Sequence, residues 1–403
     1  MGQFCRINHS ERQIVDRFEG FATCHHSIMS SGRNILVSLF LLGCTPLLGQ
    51  GSLDSLKAKL ETASNDSVRF LTLLKLSKES EFYDYGKARE YADEATGLSE
   101  KINTDWAKGK LFIRLAFLEA MEGDYADALK YDLQCAKLFL EANDSLNLAR
   151  TFNDVGTDYR DLGEYDEGYY YLTESYRIAR RNHKAPTHDD SVVMAIAIHN
   201  IGTVFTELGQ FDIARDHLLA SFKVFGILKF NEGTPYAFDE LGELYRRKKD
   251  LDQSEKYLLD GLTEARKQKI RVLIPRIQSH LAGMYLDKKD FSKSLLYYDS
   301  AIAQQTNINN RFGLAECDLG KGMVMLRSGN FEEALRLYFK SLQASNNLHA
   351  RNLTLSCYKE LASLYESRGD YPKSLDYLKK YNALRDSVFS EASIEKLEGP
   401  GHS

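Results

Sequence analysis

The chain has 403 residues, of which 43% are apolar, 11% are aromatic and only six are proline. Scarce proline together with abundant Ala, Leu, Glu, Lys and Tyr favours helices. The net charge of −5 is spread along the chain, which excludes the basic stripe that a nucleic-acid-binding protein uses to neutralise phosphates. The composition therefore predicts a helical protein without a nucleic-acid partner.

Residues 1–50 are predicted to be an over-long start followed by a secretory signal peptide. A basic residue precedes a short apolar run, residues 35–42, and small residues follow up to Gly49, near which cleavage is expected. The run is too short to span a bilayer as a helix. A second interpretation is that the Leu-Leu-Gly-Cys sequence ending at Cys44 resembles the lipobox of bacterial lipoproteins, so that Cys44 would carry a lipid. Secretion is favoured because apolar residues continue beyond Cys44.

Three further regions follow the signal peptide. Residues 51–65 are predicted to form a capping helix, because Leu53, Leu56 and Leu60 make an apolar stripe at helical spacing. Residues 66–386 contain eight repeats, and residues 387–403 form a short tail.

The repeats are recognised by a turn followed by a small residue, which lies at positions 88, 128, 168, 214, 254, 294, 334 and 374. The spacing is 40 residues in every interval but one. That interval is 46 residues long because six extra residues lie within the polar segment 182–190. A fixed period of this length is the signature of stacked helical repeats.

Within each copy the residue types suit two helices joined by a tight turn. A glycine that can adopt positive φ precedes an Asp, Glu, Gln or Asn suited to start the next helix. Lys249 and Lys289 replace this glycine in two copies, where turns that are strained or of a different shape are expected. The first helix (helix A) carries a Gly or Ala that allows close helix packing, followed three residues later by an aromatic residue in most copies. A tyrosine recurs in the second helix (helix B).

This arrangement resembles the tetratricopeptide repeat, in a long variety similar to bacterial peptide-sensing regulators and to the extracytoplasmic sensor regions of two-component proteins. The resemblance implies an all-α, right-handed superhelical solenoid of about eight helix-turn-helix repeats. It also implies a concave groove, lined by the A helices, that holds a peptide. Carried over to this chain, the groove positions are Arg150, Asn153, Thr157, Arg160, His199, Asn200, Thr203, Tyr236, Asp239, Glu243, Arg246, Arg276, Ser279 and His280.

Sequence motifs for catalysis or metal binding are not found. The chain lacks a phosphate-binding glycine loop, a His-Glu-x-x-His motif and a Gly-x-Ser-x-Gly motif. His183, His188, Asp189 and Asp190 fall in the inserted segment and are interpreted as a polar loop. The three cysteines of the repeats are interpreted as buried apolar residues; they are Cys135, Cys317 and Cys357. No cofactor, metal or enzymatic activity is predicted.

The predicted function is that of an exported scaffold or adaptor that binds a protein or peptide in its groove. We expect a periplasmic or cell-envelope location, in a bacterium, with membrane attachment only through a lipid on Cys44. The alternative is the sensory input region of a two-component-type regulator whose signalling domain is missing or truncated. Residues 377–389 resemble the stretch that precedes a coiled coil and membrane helix in such regulators.

Overall fold

A computed structural model describes residues 47–81, 84–181 and 186–388, and these are entirely helical or in turns. They form seventeen helices: α1 Leu47–Glu61, α2 Asp66–Ser80, α3 Tyr85–Ile102, α4 Asp105–Glu122, α5 Tyr125–Glu141, α6 Ser145–Leu162, α7 Tyr165–Arg181, α8 His188–Glu207, α9 Phe211–Leu228, α10 Gly233–Arg247, α11 Leu251–Gln268, α12 Leu273–Asp287, α13 Phe291–Asn307, α14 Arg311–Arg327, α15 Phe331–Asn347, α16 Arg351–Ser367 and α17 Tyr371–Val388. The helices from α2 onward make eight consecutive A–B pairs, which we number as repeats 1 to 8. The predicted all-α repeat solenoid is confirmed. Residues 1–46, which include Cys44 and all but the last four residues of the predicted signal-peptide region, lie outside the described residues, as do His183 and residues 389–403. Residues 47–50 of that region belong to α1.

The 40-residue period comes from long helices joined by short turns. In repeat 7, two helices of 17 residues each are joined and followed by three-residue turns. The glycines of the A–B turns have φ between +74° and +84°. Lys249 and Lys289 have φ of +64° and +63°, so the turns keep the shape of the glycine copies and the expectation of a different shape was wrong. The alternative expectation of a strained backbone is confirmed, because a side chain at positive φ costs energy. The backbone bond that closes the turn, from Asp250 N to the Tyr245 carbonyl, forms there as in the glycine copies.

The two recurring aromatic positions stack on each other in repeats 3, 5, 6 and 8. Nearly parallel ring pairs with centroids 5.5–5.8 Å apart recur between helix A and helix B; they are Tyr159–Tyr171, Tyr245–Tyr257, Tyr285–Tyr297 and Tyr365–Tyr377. The small position of helix A lies beside them. A Cβ added to Gly242 would lie 2.5 Å from Leu258, and one added to Gly322 would lie 2.7 Å from Tyr338. Close approach of the two helices therefore requires the small residue.

The chain divides into two compact units, residues 1–114 and 115–403, and the boundary falls within α4. In the first unit the guanidinium of Arg114 is buried, where it bonds the carboxylate of Glu81 and the hydroxyl and carbonyl of Ser77. Phe70 and Trp106 pack edge to face. These contacts fix the start of α4 against α2.

In the second unit the chain returns on itself. The A–B turns of repeats 2 and 3 contact the first residues of α14 and α16, which start repeats 7 and 8. Arg311 bonds Asp124 at 2.9 Å, although the two residues are 187 positions apart. Arg351 pairs with Glu164 at 3.0 Å. We call this closure the seam; its residues are Gly123, Asp124, Tyr125, Gly163, Glu164, Arg311, Phe312, Arg351 and Asn352.

The seam is closely packed as well as charged. A Cβ added to Gly123 would lie 2.3 Å from the Phe312 Cβ and 2.7 Å from its backbone nitrogen. The rings of Tyr125 and Phe312 meet edge to face, with centroids 5.3 Å apart. Apolar side chains extend the contact, because Leu355 of α16 belongs to the buried cluster around Tyr165. Repeats 2 to 8 therefore surround an interior space, which we call the lumen.

Candidate ligand-binding lumen

Charged side chains from several repeats converge on the lumen. Burial raises the pKa of Glu316, on α14, to about 7, and four charges from α6, α8 and α12 also act on it. These charges belong to His280, Asp161, Glu207 and Arg276. Since the five groups come from four different helices of the array, their mutual influence places them around one space.

Tyr125 extends this set to the seam. Burial raises its pKa well above the usual value for tyrosine, and Asp161 and Glu316 raise it further, whereas Arg160 and Arg276 lower it. Tyr125 begins helix B of repeat 2. Side chains of repeats 2 through 7 therefore face the same lumen, with both signs of charge present.

Asp239 is the most deeply buried charge of the lumen wall. Its carboxylate, fully buried, accepts hydrogen bonds of 2.7 Å from Arg276 Nε and from His280 Nδ1. Burial opposes ionisation of Asp239, but the charges of His280 and Arg276 outweigh it and lower its pKa. Burial likewise opposes the charge on His280, yet Asp239 raises its pKa to about 9. His280 is therefore protonated at neutral pH.

Part of the Arg276 side chain remains accessible to a ligand. A third of its side chain is exposed, and it lies over the ring of Tyr236, 5.6 Å from the centroid, while also pairing with Glu240 at 3.2 Å. Arg276 therefore presents a partly exposed positive charge to the lumen, and the buried carboxylate of Asp239 and the ring of Tyr236 fix its position.

Most of the predicted groove residues join neighbouring repeats. Asn200 Nδ2 donates to Asn153 Oδ1 at 3.1 Å, and Arg160 donates to the Thr203 hydroxyl at 2.8 Å. Arg246 bridges its own helix and the next one, since it pairs with Asp287 at 3.0 Å and with Glu243 at 2.7 Å. These bonds align the A helices before any ligand is present.

The remaining predicted residues have other surroundings. Thr157 bonds only carbonyls of its own helix, and the Ser279 hydroxyl lies 3.7 Å from the sulfur of Cys317. Arg150 is exposed and pairs with Asp189. His199 is buried, its Nδ1 atom lacks a hydrogen-bond partner, and burial lowers its pKa to about 3.

Four lumen carboxylates were missed by the sequence analysis: Asp161, Glu207, Glu240 and Glu316. Each lies on a helix A, and Asp161 and Glu240 directly follow a predicted position. A sequence signal could have found two of them: Asp161 and Glu207 each follow the small residue of their helix by five positions. Asp287, which pairs with Arg246, occupies the same position in repeat 6. The equivalent residue in repeat 5, Arg247, pairs with Glu207 at 2.8 Å and so links repeats 4 and 5.

Other sequence candidates have structural explanations. Asp190 accepts from the backbone N–H of Thr187 and forms a capping box at the start of α8. Tyr171 stacks on Tyr159, while the neighbouring Tyr170 is exposed. The cysteines of the repeats are buried, as predicted; they are Cys135, Cys317 and Cys357.

A cavity of about 670 Å³ lies along the seam, between the turn of repeat 3 and repeat 8. Leu162 and Leu384 form part of its apolar wall, and Arg351, Tyr358 and Lys380 add polar groups. The seam is therefore packed at its turns and open beside them.

A carboxyl cluster lies where repeats 2 and 3 meet. Asp158, 5% exposed, donates a hydrogen bond to Asp132, and its Oδ2 atom has no hydrogen-bond partner. Burial, and then the charge of Asp154, raise the pKa of Asp132 to about 8. Burial and both neighbours raise the pKa of Asp158 well above its usual range. The folded cluster therefore holds protons at neutral pH because its carboxyls cannot all ionise.

This cluster should make the protein less stable as pH rises. The pKa values in the folded state exceed the unfolded value of about 4, so the stabilising protons are lost as the pH climbs towards 8. Asp158→Asn should raise the free energy of unfolding at pH 8 by on the order of 2 kcal/mol, and by less at pH 5. Urea unfolding followed by circular dichroism at both pH values measures this. Asp127→Asn, at an exposed position of α5, serves as control; equal pH dependence in wild type and Asp158→Asn would contradict the interpretation.

Comparison with known proteins places this geometry in context. The tetratricopeptide repeat model matches residues 109–181 and 314–387. A search of curated proteins gives no significant match.

The fold is similar to several solved structures. A Rap protein complexed with competence and sporulation factor has a TM-score of 0.65 at 10% identity, covering 94% of this chain and 99% of that one. The Rap conjugation gene regulator of plasmid pLS20, in complex with the Phr* peptide, gives 0.55 at 13% identity, with 98% and 99% coverage. Aspartyl phosphate phosphatase F from Bacillus subtilis gives 0.51 at 14% identity, with 96% of both chains covered. At these identities the likeness shows the fold.

Proposed function

The chain is a tetratricopeptide-repeat protein, and from this premise we propose that its lumen binds a short peptide or an extended protein segment. The observation that carries the proposal is the convergence of side chains from repeats 2 through 7 on one space. An extended peptide offers N–H and C=O groups along its length. The lumen offers donors such as Arg276 and acceptors such as Glu240 to match them.

Two further observations support a peptide ligand. The A helices are already aligned by bonds such as that between Asn200 and Asn153, so little ordering is needed when a ligand binds. Two of the similar solved structures hold a peptide or a factor according to their descriptions. We propose binding without catalysis; the phosphatase activity in the name of one similar structure is said of that protein alone.

The test uses a bulky side chain on the lumen wall. Thr157→Trp should abolish or strongly weaken ligand binding, because Thr157 makes no bond to another repeat and its replacement leaves the wall intact. The measurement is affinity selection of a library of short synthetic peptides on the immobilised full chain, with mass spectrometry of the retained peptides. Wild type should retain a discrete set that Thr157→Trp loses.

The matched control is Thr263→Trp. Thr263 also bonds only a carbonyl of its own helix, but it is exposed on helix B of repeat 5. This variant should retain the wild-type peptides. The proposal fails if wild type retains no peptide, or if Thr157→Trp and wild type retain the same peptides equally.

We also propose that the protein is exported to the periplasm or cell envelope, on the strength of the signal-like segment within residues 1–50. Within the described ranges, every helix falls short of the length or apolarity needed to cross a membrane. Mass spectrometry of the mature N-terminus distinguishes cleavage near Gly49 from an acylated Cys44, and a retained residue 1 would refute export.

A further inference from the structure

The seam gives the array a fixed number of repeats per turn. Arg311 of repeat 7 bonds Asp124 of repeat 2, and Arg351 of repeat 8 pairs with Glu164 of repeat 3. Both contacts join repeats that are five apart, so the superhelix completes one turn in five repeats. The inner wall of that turn consists of the A helices of repeats 3 to 7, which are α6, α8, α10, α12 and α14.

Within the described residues this inner wall is continuous. Direct side-chain contacts join each A helix to the next; the pairs are Asn153–Asn200, Glu207–Arg247, Asp239–Arg276 and Ser279–Cys317. The turn closes at the seam, where Gly123 lies so near Phe312 that an added Cβ would be 2.3 Å from the Phe312 Cβ. A polypeptide can therefore reach the lumen from its two ends and is blocked from the side.

The lumen has the width of one extended chain. Packed helices have axes about 10 Å apart, so five of them form a ring whose axes lie about 8–9 Å from its centre. A helix with its side chains has a radius of about 5–6 Å, which leaves an opening about 6 Å across. One extended backbone, about 5 Å thick, fits this opening, whereas the two paired strands of a hairpin loop do not.

The length of the lumen follows from the helices that line it. α6 and α14 have 18 and 17 residues, which makes the lumen about 25 Å long. An extended chain rises about 3.3 Å per residue, so about eight residues reach from one end of the lumen to the other. The rest of a longer chain lies outside.

We propose that the ligand is a linear peptide, or the unfolded tail of a protein, that enters the lumen by a free end. The wall excludes cyclic peptides, and it excludes loops whose two ends both continue into folded structure. This inference rests on the function proposed above and adds to it the form of the ligand. Because the closed wall makes the selection, either end of the ligand chain can enter.

The test selects three libraries of octapeptides on the immobilised full chain. The first library has free ends, the second carries a folded domain of about 100 residues at one end through a short flexible linker, and the third carries that domain at both ends. Such a domain has a radius of gyration of about 13 Å, too large to pass through the lumen. Wild type should retain members of the first two libraries, with the domain at either end, and none of the third.

The outcomes separate this inference from the proposed function. If wild type retains no free peptide, the function itself fails. If it retains free and doubly blocked peptides alike, the function stands and the free-end requirement is overturned. Retention that always needs a free carboxyl end, or always a free amino end, would assign the selection to a terminal group and would also overturn it.

Opening the seam should remove the exclusion. Gly123→Trp places a large side chain between the turn of repeat 2 and Phe312, and this variant should retain doubly blocked peptides. Gly329→Trp is the matched control, because a Cβ added to Gly329 meets no atom within 4 Å. The control should exclude doubly blocked peptides as wild type does. Circular dichroism should show wild-type helix content in both variants.

A second variant opens the seam without a bulky residue. Arg311→Glu combined with Arg351→Glu replaces the two attractions, to Asp124 and Glu164, by repulsions. Both arginine side chains are 43% exposed, so the repeats should stay folded. If this double variant and Gly123→Trp both show a larger radius of gyration and still exclude doubly blocked peptides, the closed wall is not what selects the ligand.

Discussion

Gly123→Ala should part the seam between repeats 2 and 7. The added Cβ would lie 2.3 Å from the Phe312 Cβ, a separation that packed atoms do not reach, so α14 must move away from the turn. The ion pair between Arg311 and Asp124 would lengthen with it. Small-angle X-ray scattering should show a larger radius of gyration, while circular dichroism should show unchanged helix content, because each repeat keeps its own pairing.

Gly329→Ala isolates the contribution of the seam. Gly329 occupies the A–B turn of repeat 7, and its φ of +83° is close to the +78° of Gly123. A Cβ added to Gly329, however, meets no atom within 4 Å. Both variants bear the penalty of about 1 kcal/mol for a side chain at positive φ. Only Gly123→Ala should change the scattering curve. Identical curves and equal loss of stability in the two variants would show that the seam contact is weak.

Arg276→Leu should destabilise the second unit strongly. It removes one of the two cations that neutralise Asp239, whose carboxylate is fully buried. Removing one partner of a buried ion pair costs about 3–5 kcal/mol. Because protonated His280 still pairs with Asp239, we expect a loss of about 3 kcal/mol, at the lower end of this range. Urea unfolding at pH 7 should show this loss. The further change Asp239→Asn should restore part of the stability, because the buried group is then neutral.

Arg215→Leu provides the comparison. The side chain of Arg215 is 32% exposed and that of Arg276 is 33% exposed, so the two arginines lose similar contact with water. The partner of Arg215, Asp216, is itself 27% exposed. Arg215→Leu should therefore lower the free energy of unfolding by less than about 1 kcal/mol. If the two leucine variants were equally stable, Asp239 would have to be neutral in the folded protein.

The repeat architecture could be predicted from the sequence because it is local and periodic. Position 88 and its seven equivalents marked eight helix pairs, and glycines such as Gly209 marked the turns. A second set of left-handed residues ends most B helices, as at Asn143 and Asn309. Asn, Lys and His all occupy it, so a search for glycine did not reveal it.

The seam could not be predicted, because it depends on how the repeats curve together. Gly123 and Gly163 look the same in sequence as Gly209, yet only the first two face a distant helix. The predicted groove residues lie on A helices, as expected from their periodic positions. Their mutual bonding was not foreseen, since the partner of Asn153, for example, lies 47 residues away and belongs to the next repeat.

The seam also has a consequence for how the protein folds. An open array of repeats approximates a one-dimensional system, in which each repeat is stabilised only by its neighbours and can unfold from either end. Contacts such as Arg311 with Asp124, 187 residues apart, couple the second repeat of the array to the seventh. We therefore expect repeats 2 to 8 to unfold in a single cooperative transition, and to form slowly because so long a loop must close first.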